Sequence, residues 1–220
     1  MLFRSSVAAL LDFRPVLRNL RALRYILAYC AHNWELFAFR SWVVAFLSFS
    51  QGLQDPGGFG RDWSAPTIAA VLNLLGLPAS ILGGEAALRF GRQAVVVAVM
   101  AVSAAMACVI GFTAALPFAA VIAAAAVYAV LVSGESASVT AGVVNNAKED
   151  LRGTTMAVHT FIGFAGAFTG PIVFGVVLDL AGGGARVASW GAAFAVSGLA
   201  VALGPVAVIW LARRARRSPL

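Results

Sequence analysis

The sequence predicts an all-α integral membrane protein with six transmembrane helices. Hydrophobic residues make up 61% of the 220 residues and charged residues only 11%, whereas a soluble domain usually carries about 25% charged residues. So few charges cannot cover a water-soluble fold that buries this much apolar surface. The apolar residues also form long runs, and most basic residues lie in short clusters between or outside them. We therefore expect lipid to surround most of the chain.

Six segments reach the length that a membrane-spanning helix requires, about 20 mainly apolar residues. They are separated by stretches that favour turns, rich in glycine and in polar or charged residues. The predicted spans are residues 25–50, 65–83, 94–113, 117–139, 154–179 and 188–211. The domain organisation that follows is a cytoplasmic linker-like segment over 1–24, the transmembrane domain over 25–211 and a basic cytoplasmic tail over 212–220.

The basic residues predict which ends of the helices face the cytoplasm, because cytoplasmic loops are enriched in lysine and arginine. With the N-terminus inside, 13 of the 16 basic residues fall on the cytoplasmic side. Those 13 are Arg4, Arg14, Arg18, Arg21, Arg24, Arg89, Arg92, Lys148, Arg152, Arg213, Arg214, Arg216 and Arg217. Only Arg61 and Arg186 fall on the opposite side, and Arg40 lies within the first span. We expect a multi-pass protein of the plasma (inner) membrane with both termini cytoplasmic.

Several other classes of protein are disfavoured. The net charge of +7 does not form a basic face interleaved with aromatic residues, as a nucleic-acid interface would. Cys30 and Cys108 lie in separate apolar runs and predict neither a disulfide nor a metal site. No glycine-rich loop ending in Lys-Ser or Lys-Thr is present, so an ATP-driven pump is excluded on this chain. We expect no cofactor.

Ionisable side chains inside the spans are the candidates for function, because each costs at least ~2.5 kcal/mol to place there on insertion scales. The predicted solute or ion pathway consists of His32, Glu35 and Arg40 in the first span, Glu135 in the fourth and His159 in the fifth. The third and sixth spans carry no charge in their apolar stretches. This absence predicts that those two helices are peripheral and face lipid.

The first span gathers its ionisable residues on one side. At about 100° per residue, His32 and Arg40 lie at roughly 60° and 140° from Glu35. Either they neutralise partners on neighbouring helices, or they border an aqueous cavity in which Glu35 titrates or Arg40 holds an anion. Glu135 is equally compatible with a proton relay and a structural cap. A lone buried histidine such as His159 is more often a packing residue.

The fifth span predicts a close helix contact. Gly166 and Gly170 are four residues apart, and small residues at that spacing let two helix backbones approach each other.

The segment between the second and third spans reads GGEAALRFGRQ. It resembles the short motif that the major facilitator superfamily places between its second and third helices and, in weaker form, between its eighth and ninth. The matching residues are Gly84, Arg89, Gly91 and Arg92. Leu88 replaces the aspartate of the motif and Gln93 its final basic residue, while Glu85 offers an acid about one turn earlier. The resemblance implies that this segment is a cytoplasmic gating loop.

Longer stretches carry the same resemblance, which covers nearly the whole chain from about residue 11. RYILAYCAHNWELFAFRSWVVAFL is similar to the seventh helix of a bacterial branch near the nitrate/nitrite and cyanate carriers. NNAKEDLRGTTMAVHTFIGFAGAFTGPIVFGVVLDLAGG resembles its tenth-to-eleventh-helix region, and LLDFRPVLRNLRALRY its central linker. The resemblance implies the C-terminal six-helix half of such a transporter. It also implies that Glu35, Arg40 and Glu135 line the central cavity.

The function expected from the resemblance is secondary transport of a small solute, with an anionic solute and proton coupling as hypotheses. Such a transporter has two six-helix halves, so the partner is a matching N-terminal half or a second copy. A truncated product, a split transporter and a homodimer all satisfy this expectation. The alternative is a non-transporting assembly subunit. An enzyme is not expected: the Ser133–Gly134 pair lacks the leading glycine of a rhomboid-type protease, and the sixth span has no histidine.

Overall fold

A computed structural model describes residues 12–55, 57–60 and 62–217. Arg61 and residues 1–11 and 218–220, which include parts of the predicted linker and tail, lie outside the described residues. Within them the chain is all-helical and contains no strand, which confirms the predicted class. The helices are α1 Arg14–Arg18, α2 Leu20–Gly52, α3 Ala65–Phe90, α4 Arg92–Ile110, α5 Phe118–Gly134, α6 Ser136–Asn146, α7 Arg152–Leu180 and α8 Val187–Arg217.

Five helical segments in the described part of the chain are long and apolar enough to cross a membrane. They are Ala65–Phe90, Arg92–Ala115, Phe118–Asn146, Glu149–Leu180 and Val187–Arg217. By length and composition they are the segments of a membrane-embedded protein. Helix α2 is the longest of the described helices, at 33 residues, but its polar and charged residues keep it out of this group of five. Its status as a sixth span depends on where those polar side chains lie.

Several helices extend past their predicted ends. Helix α2 begins directly after Asn19, whose side chain accepts a hydrogen bond from the Ala22 amide and caps the helix. Helix α8 continues to Arg217, so most of the predicted tail is helical. Helix α3 continues to Phe90 and ends only at Gly91, whose φ of +89° is a left-handed conformation that favours glycine.

The predicted gating loop is therefore wrong as a loop. Gly84, Glu85 and Arg89 lie in the last two turns of α3, Gly91 is the break, and Arg92 begins α4. The physical reason is that the segment before Gly91 contains no helix breaker stronger than the paired glycines. One exposed ion pair, Arg89 to Glu85 at 3.0 Å, joins adjacent turns of the helix. Such exposed pairs contribute little to stability.

Hydrogen bonds between side chains and neighbouring helices fix which helix ends meet. At one end, Arg24 of α2 donates to the Gln93 side chain at the start of α4, over 2.9 Å. At the other end, Ser50 of α2 donates to the carbonyl of Ala114, over 2.8 Å. The first of these ends also holds the α3–α4 junction and the start of α2. We call it the basic end, because many of the clustered arginines lie there.

Two apolar clusters fill the interior, one toward each end of the bundle. The cluster toward the basic end includes Tyr25, Ile26, Val96, Met100, Val143 and Val208. The cluster toward the opposite end includes Phe46, Phe118, Tyr128, Phe174, Trp190 and Phe194. In α2 the residues between these clusters include the buried polar His32, Asn33 and Glu35, and Ser103 of α4 contacts Glu35. Buried polar side chains thus form a layer between two apolar regions.

Helices α4 and α8 correspond to the third and sixth predicted spans. Helices α4 and α8 pack closely on each other: a Cβ atom at Gly198 would lie 2.6 Å from the Ala104 carbonyl oxygen. In their most apolar windows 44% of the residues are buried, against 33% for α3 and α7. Exposed apolar side chains include Leu74 of α3 and Phe161 of α7, but also Val109 of α4 and Leu203 of α8, so the lipid-facing position of α4 and α8 stays a prediction. An uncharged sequence suits a packed helix interface as well as it suits lipid.

The predicted close contact of the fifth span is confirmed. Helix α7 packs against α2, and its glycines meet the α2 backbone: a Cβ atom at Gly166 would overlap the Cys30 carbonyl, and one at Gly170 would overlap the Trp34 carbonyl. Only glycine permits this separation of the two helices. The contact brings the polar residues of α2 and α7 to the same depth in the bundle.

Candidate functional site

The buried polar layer contains four of the five predicted pathway residues. His32 and Glu35 come from α2, Glu135 lies at the junction of α5 and α6, and His159 comes from α7; all four are at most 3% exposed. Arg40, the fifth, is on the outer surface of the bundle. The structure therefore separates a buried site from a surface site, and the two have different chemistry.

Glu135 is positioned by an interruption of the fourth predicted span. Helix α5 ends at Gly134 and α6 begins at Ser136, so Glu135 is the single residue between them. Helix α3 crosses there, because a Cβ atom at Gly83 would overlap the Gly134 carbonyl. Ser138 also donates to the Gly83 carbonyl, over 3.1 Å. Interrupted helices that place polar groups inside the bundle are a recurring feature of ion and solute sites in membrane proteins.

The centre of the layer is a pair between His32 and Glu135. Nδ1 of His32 lies 2.9 Å from Oε1 of Glu135, and the two side chains are 1% and 0% exposed. With the carboxylate ionised, Nδ1 carries the hydrogen and donates it. Breaking such a pair leaves an uncompensated polar or charged group in a low-dielectric interior, so each partner depends strongly on the other.

Glu35 lies beside this pair but has its own partners. The Ser103 hydroxyl of α4 donates to Oε1 of Glu35 over 2.8 Å, and the Tyr128 hydroxyl of α5 also interacts with this carboxyl. Glu35 and Glu135 are close enough to repel each other when both are ionised. One oxygen of each carboxyl, Oε2, is buried without a hydrogen-bond partner. Each of the two carboxyls therefore has an oxygen atom at which a proton can bind without displacing a hydrogen-bond donor.

His159 joins the layer through an aromatic ring. Its imidazole stacks on Tyr29 at a centroid distance of 3.9 Å and an angle of 28°. Tyr29 also stacks near the ring of His32, with the two ring centroids 5.9 Å apart. Nδ1 of His159 has no hydrogen-bond partner. Packing is thus the contact that the structure gives to His159, and Tyr29 separates it from the His32–Glu135 pair.

A cleft of about 260 Å³ opens on the outer surface next to the layer. It lies where α2, α3 and the α5–α6 junction meet. Among the described residues, no carboxylate lies within salt-bridge distance of Arg40. The residues that line the cleft are His32, Leu36, Arg40, Asn73, Gly76, Leu77, Ser80, Ser133 and Ser136. Its polar surface therefore consists of one guanidinium, one imidazole, hydroxyls and an amide.

The structure differs from the predicted arrangement of the first span. Glu35 does not border the cleft, although it lies on the same side of the helix as His32, because α4 and α5 pack over it. Arg40 does line the cleft, and His32 is the one residue that belongs to both the cleft and the layer. His159 and Glu135 are also absent from the cleft lining. The predicted pathway residues thus divide into two groups joined at His32.

Sequence reasoning missed the uncharged polar residues of the cleft. Asn73 and Ser80 are seven residues apart, which places them on one face of α3, and Ser133 and Ser136 flank Glu135. That spacing was the available signal. It is weak, since serine is common in membrane helices as a packing residue.

A metal centre has no support in the described residues, where no group of three or more histidine, cysteine, aspartate or glutamate side chains is placed to hold an ion. In comparisons with known proteins, the chain matches no family model and no curated protein. The features that indicate a function are therefore the buried layer, the cleft and the charge on Arg40.

Proposed function

We propose that the chain is one six-helix half of a secondary transporter of the major facilitator type, which moves a small solute across a membrane and is not an enzyme. The observation that carries the proposal is a polar, charged cleft on the outside of the bundle, near the middle of the helices that line it. Arg40 lies four residues from the midpoint of α2, about 6 Å along the helix axis. Lipid solvates such groups at a cost of several kcal/mol. Water or another polypeptide must therefore cover the cleft.

The same cleft supports α2 as a sixth span. A helix of 33 residues is about 50 Å long, well beyond the ~30 Å of a bilayer core. Its polar residues need not meet lipid, since His32 and Glu35 are buried in the bundle and Arg40 lies in the cleft. With α2 included, the described part of the chain has six candidate spans. The clustered arginines then favour a protein of the plasma (inner) membrane with both termini in the cytoplasm.

The second half of the transporter is proposed to cover the cleft. In secondary transporters built from two repeats, the solute site lies between the repeats near the middle of the membrane. Helices α3 and α7 expose large apolar side chains, such as Leu77 at 70% and Phe168 at 72%. Leu77 also lines the cleft, so an apolar surface continues from its rim. This combination fits a partner of six helices, either a matching N-terminal half or a second copy.

The solute class that fits the cleft best is a small anion. Arg40 is the one guanidinium of the lining, and the hydroxyls of Ser80, Ser133 and Ser136 and the amide of Asn73 offer hydrogen-bond donors. No acidic side chain lines the cleft to repel an anion. A volume of about 260 Å³ is at the small end for ligand sites. Proton coupling is supported by the ionisable residues buried next to this cleft.

A second candidate is a subunit that assembles with a transporter without moving solute itself. It is favoured by the structural partners that the buried groups already have: Glu135 pairs with His32, and Glu35 accepts from Ser103. The two candidates predict different results for Glu135→Gln. A subunit would lose complex integrity with unchanged solute flux per assembled complex, whereas a transporter would change its flux.

The test is solute uptake into cells that express this chain alone or the same chain joined to a matching N-terminal six-helix half. Nitrate, nitrite and cyanate are supplied at two external pH values. We expect uptake from the joined form that responds to pH, because the cleft needs a second half to close it. Uptake by the chain alone would identify a working dimer. Properly inserted protein without uptake of any of the three anions in either form would contradict anion transport.

A further inference from the structure

We propose that the His32–Glu135 pair is the proton-exchange site of this transporter, that Glu35 keeps its proton, and that Arg40 couples proton binding to the anion. This inference rests on the proposed function and deepens it. It is carried by the position of one residue: His32 pairs with Glu135 at 2.9 Å inside the layer and also lines the cleft. No other ionisable residue described belongs to both places.

The charges of the layer set how many protons it holds. It contains two carboxyls, Glu35 and Glu135, and the imidazole of His32, which pairs with Glu135. These three groups are neutral together when they hold two exchangeable protons: a protonated imidazole and one protonated carboxyl, or two protonated carboxyls. With one proton they carry a net charge of −1 in a buried site, which is costly. Proton loss therefore needs water or a cation to reach the layer.

The two carboxyls differ in their access to water. Glu135 lies between Ser133 and Ser136, both of which line the cleft, and its partner His32 lines the cleft as well. Glu35 is 0% exposed, and neither Ser103 nor Tyr128, its partners, lines the cleft. A proton that reaches the layer from the cleft meets His32 and then Glu135. Glu35 has no such route and stays protonated.

The exchange step is a proton transfer along the imidazole. A proton from cleft water binds Nε2 of His32, and the hydrogen on Nδ1 passes to Oε1 of Glu135 over the 2.9 Å contact. The products are a neutral carboxylic acid and a neutral imidazole with its hydrogen on Nε2, so charge and protons balance. Release is the reverse transfer. The transfer requires no residue beyond the pair.

Several other titratable groups face the pair from the helices packed around it. Tyr29 stacks near His32, and Tyr128 interacts with both carboxyls. Among the described residues, the titratable or charged groups near the pair or its direct neighbours are Tyr29, Glu35 and Arg40 on α2, Cys108 on α4, Tyr128 on α5 and His159 on α7. Arg40 is the one fixed charge among them. Its positive field opposes protonation of the pair.

An anion bound at Arg40 cancels that field. Arg40 and His32 are eight residues apart on α2, about 12 Å along the axis. Two unit charges at that distance interact strongly enough, at an effective dielectric constant near 20, to change proton binding about tenfold, or about one pH unit. Anion and proton therefore favour each other's binding, and the effect is reciprocal. This linkage is what symport of an anion with a proton requires.

Infrared spectroscopy of the purified full chain in lipid nanodiscs tests the inference without any transport. The C=O stretching band of protonated carboxyl groups is followed from about pH 6 to about pH 8, where exposed carboxyls with ordinary pKa values near 4 are already ionised, with Glu135→Gln and Glu35→Gln as a matched pair. We expect a pH-dependent component in the wild type and in Glu35→Gln, and its loss in Glu135→Gln. The reverse assignment, with the component lost only in Glu35→Gln, would overturn the proposal. Nanodisc elution as a single species shows that each variant is folded.

Two further measurements complete the test. If Glu135→Gln does not fold, Glu135→Asp replaces it, and an unchanged band position and midpoint would overturn the assignment. In the wild type, nitrate is the anion probe: we expect it to move the midpoint to higher pH by about one unit, and to have no effect in Arg40→Gln. A midpoint unaffected by nitrate would overturn the coupling. Failed uptake with an intact band response would contradict the transport function alone.

Discussion

Replacing His32 or Glu135 singly with leucine is expected to destabilise the protein by about 3–5 kcal/mol, the largest stability effect in the chain. Each single change leaves the other member of the 2.9 Å pair buried without its partner. The double variant, His32→Leu with Glu135→Leu, is expected to lose much less than the sum, because no buried charge then remains unpaired. Equilibrium unfolding in mixed detergent micelles measures all four proteins.

The control for this cycle is the other buried histidine. His159 stacks on Tyr29 and its Nδ1 has no hydrogen-bond partner, so His159→Phe keeps the stacking and removes no hydrogen bond. We expect the free energy of unfolding to change by no more than about 1 kcal/mol, because the substitution keeps the shape of the side chain. Single variants that are as stable as His159→Phe, or a double variant whose loss equals the sum of the singles, would show that the pair is not coupled.

The second large effect is expected on solute affinity. Arg40→Lys keeps the positive charge but removes the planar fork that binds an anion with two parallel hydrogen bonds. Loss of one hydrogen bond to a charged group costs about 1.5–3 kcal/mol, so the half-saturating anion concentration should rise roughly tenfold or more. Uptake by the joined form, measured over a range of anion concentrations, gives this value.

Arg186→Lys is the matched control for Arg40→Lys, because Arg186 lies in the turn before α8 and does not line the cleft. We expect it to leave the half-saturating concentration unchanged. Equal effects of the two substitutions, or an Arg40→Lys variant with normal anion uptake, would remove Arg40 from the solute site. Arg40→Gln extends the series: without the charge, the anion should no longer be bound selectively.

The helices were predictable because their signal is local. Runs of about 20 apolar residues fix the spans, and the spacing of Gly166 and Gly170 correctly indicated a close helix contact. Helix ends were less predictable. Helix α3 continues through Glu85 and Arg89 because its final turns accommodate charged residues. It ends only at Gly91, which has a left-handed conformation.

Which faces of the apolar helices pack on each other could not be predicted, because lipid and a packed interface select the same apolar residues. The charge-free α4 and α8 are packed on each other through positions such as Gly198. The separation of Glu35 from Arg40 was hidden for a similar reason. An angular position on a helix does not reveal that another helix, here the one carrying Ser103, covers part of that face. The pairing of His32 with Glu135, 103 residues apart in sequence, is likewise set by tertiary packing.

Cysteine labelling shows whether water reaches a cleft at mid-membrane depth on this bundle. Cys30 and Cys108 are first replaced with alanine. Ser80→Cys and Ile81→Cys are then compared in membranes with a water-soluble maleimide. The two positions are adjacent on α3, but Ser80 lines the cleft while Ile81 is 65% exposed on the outer surface and is not part of the cleft lining. We predict rapid labelling of Ser80→Cys and none of Ile81→Cys; equal labelling of both, or of neither, would contradict an aqueous cleft.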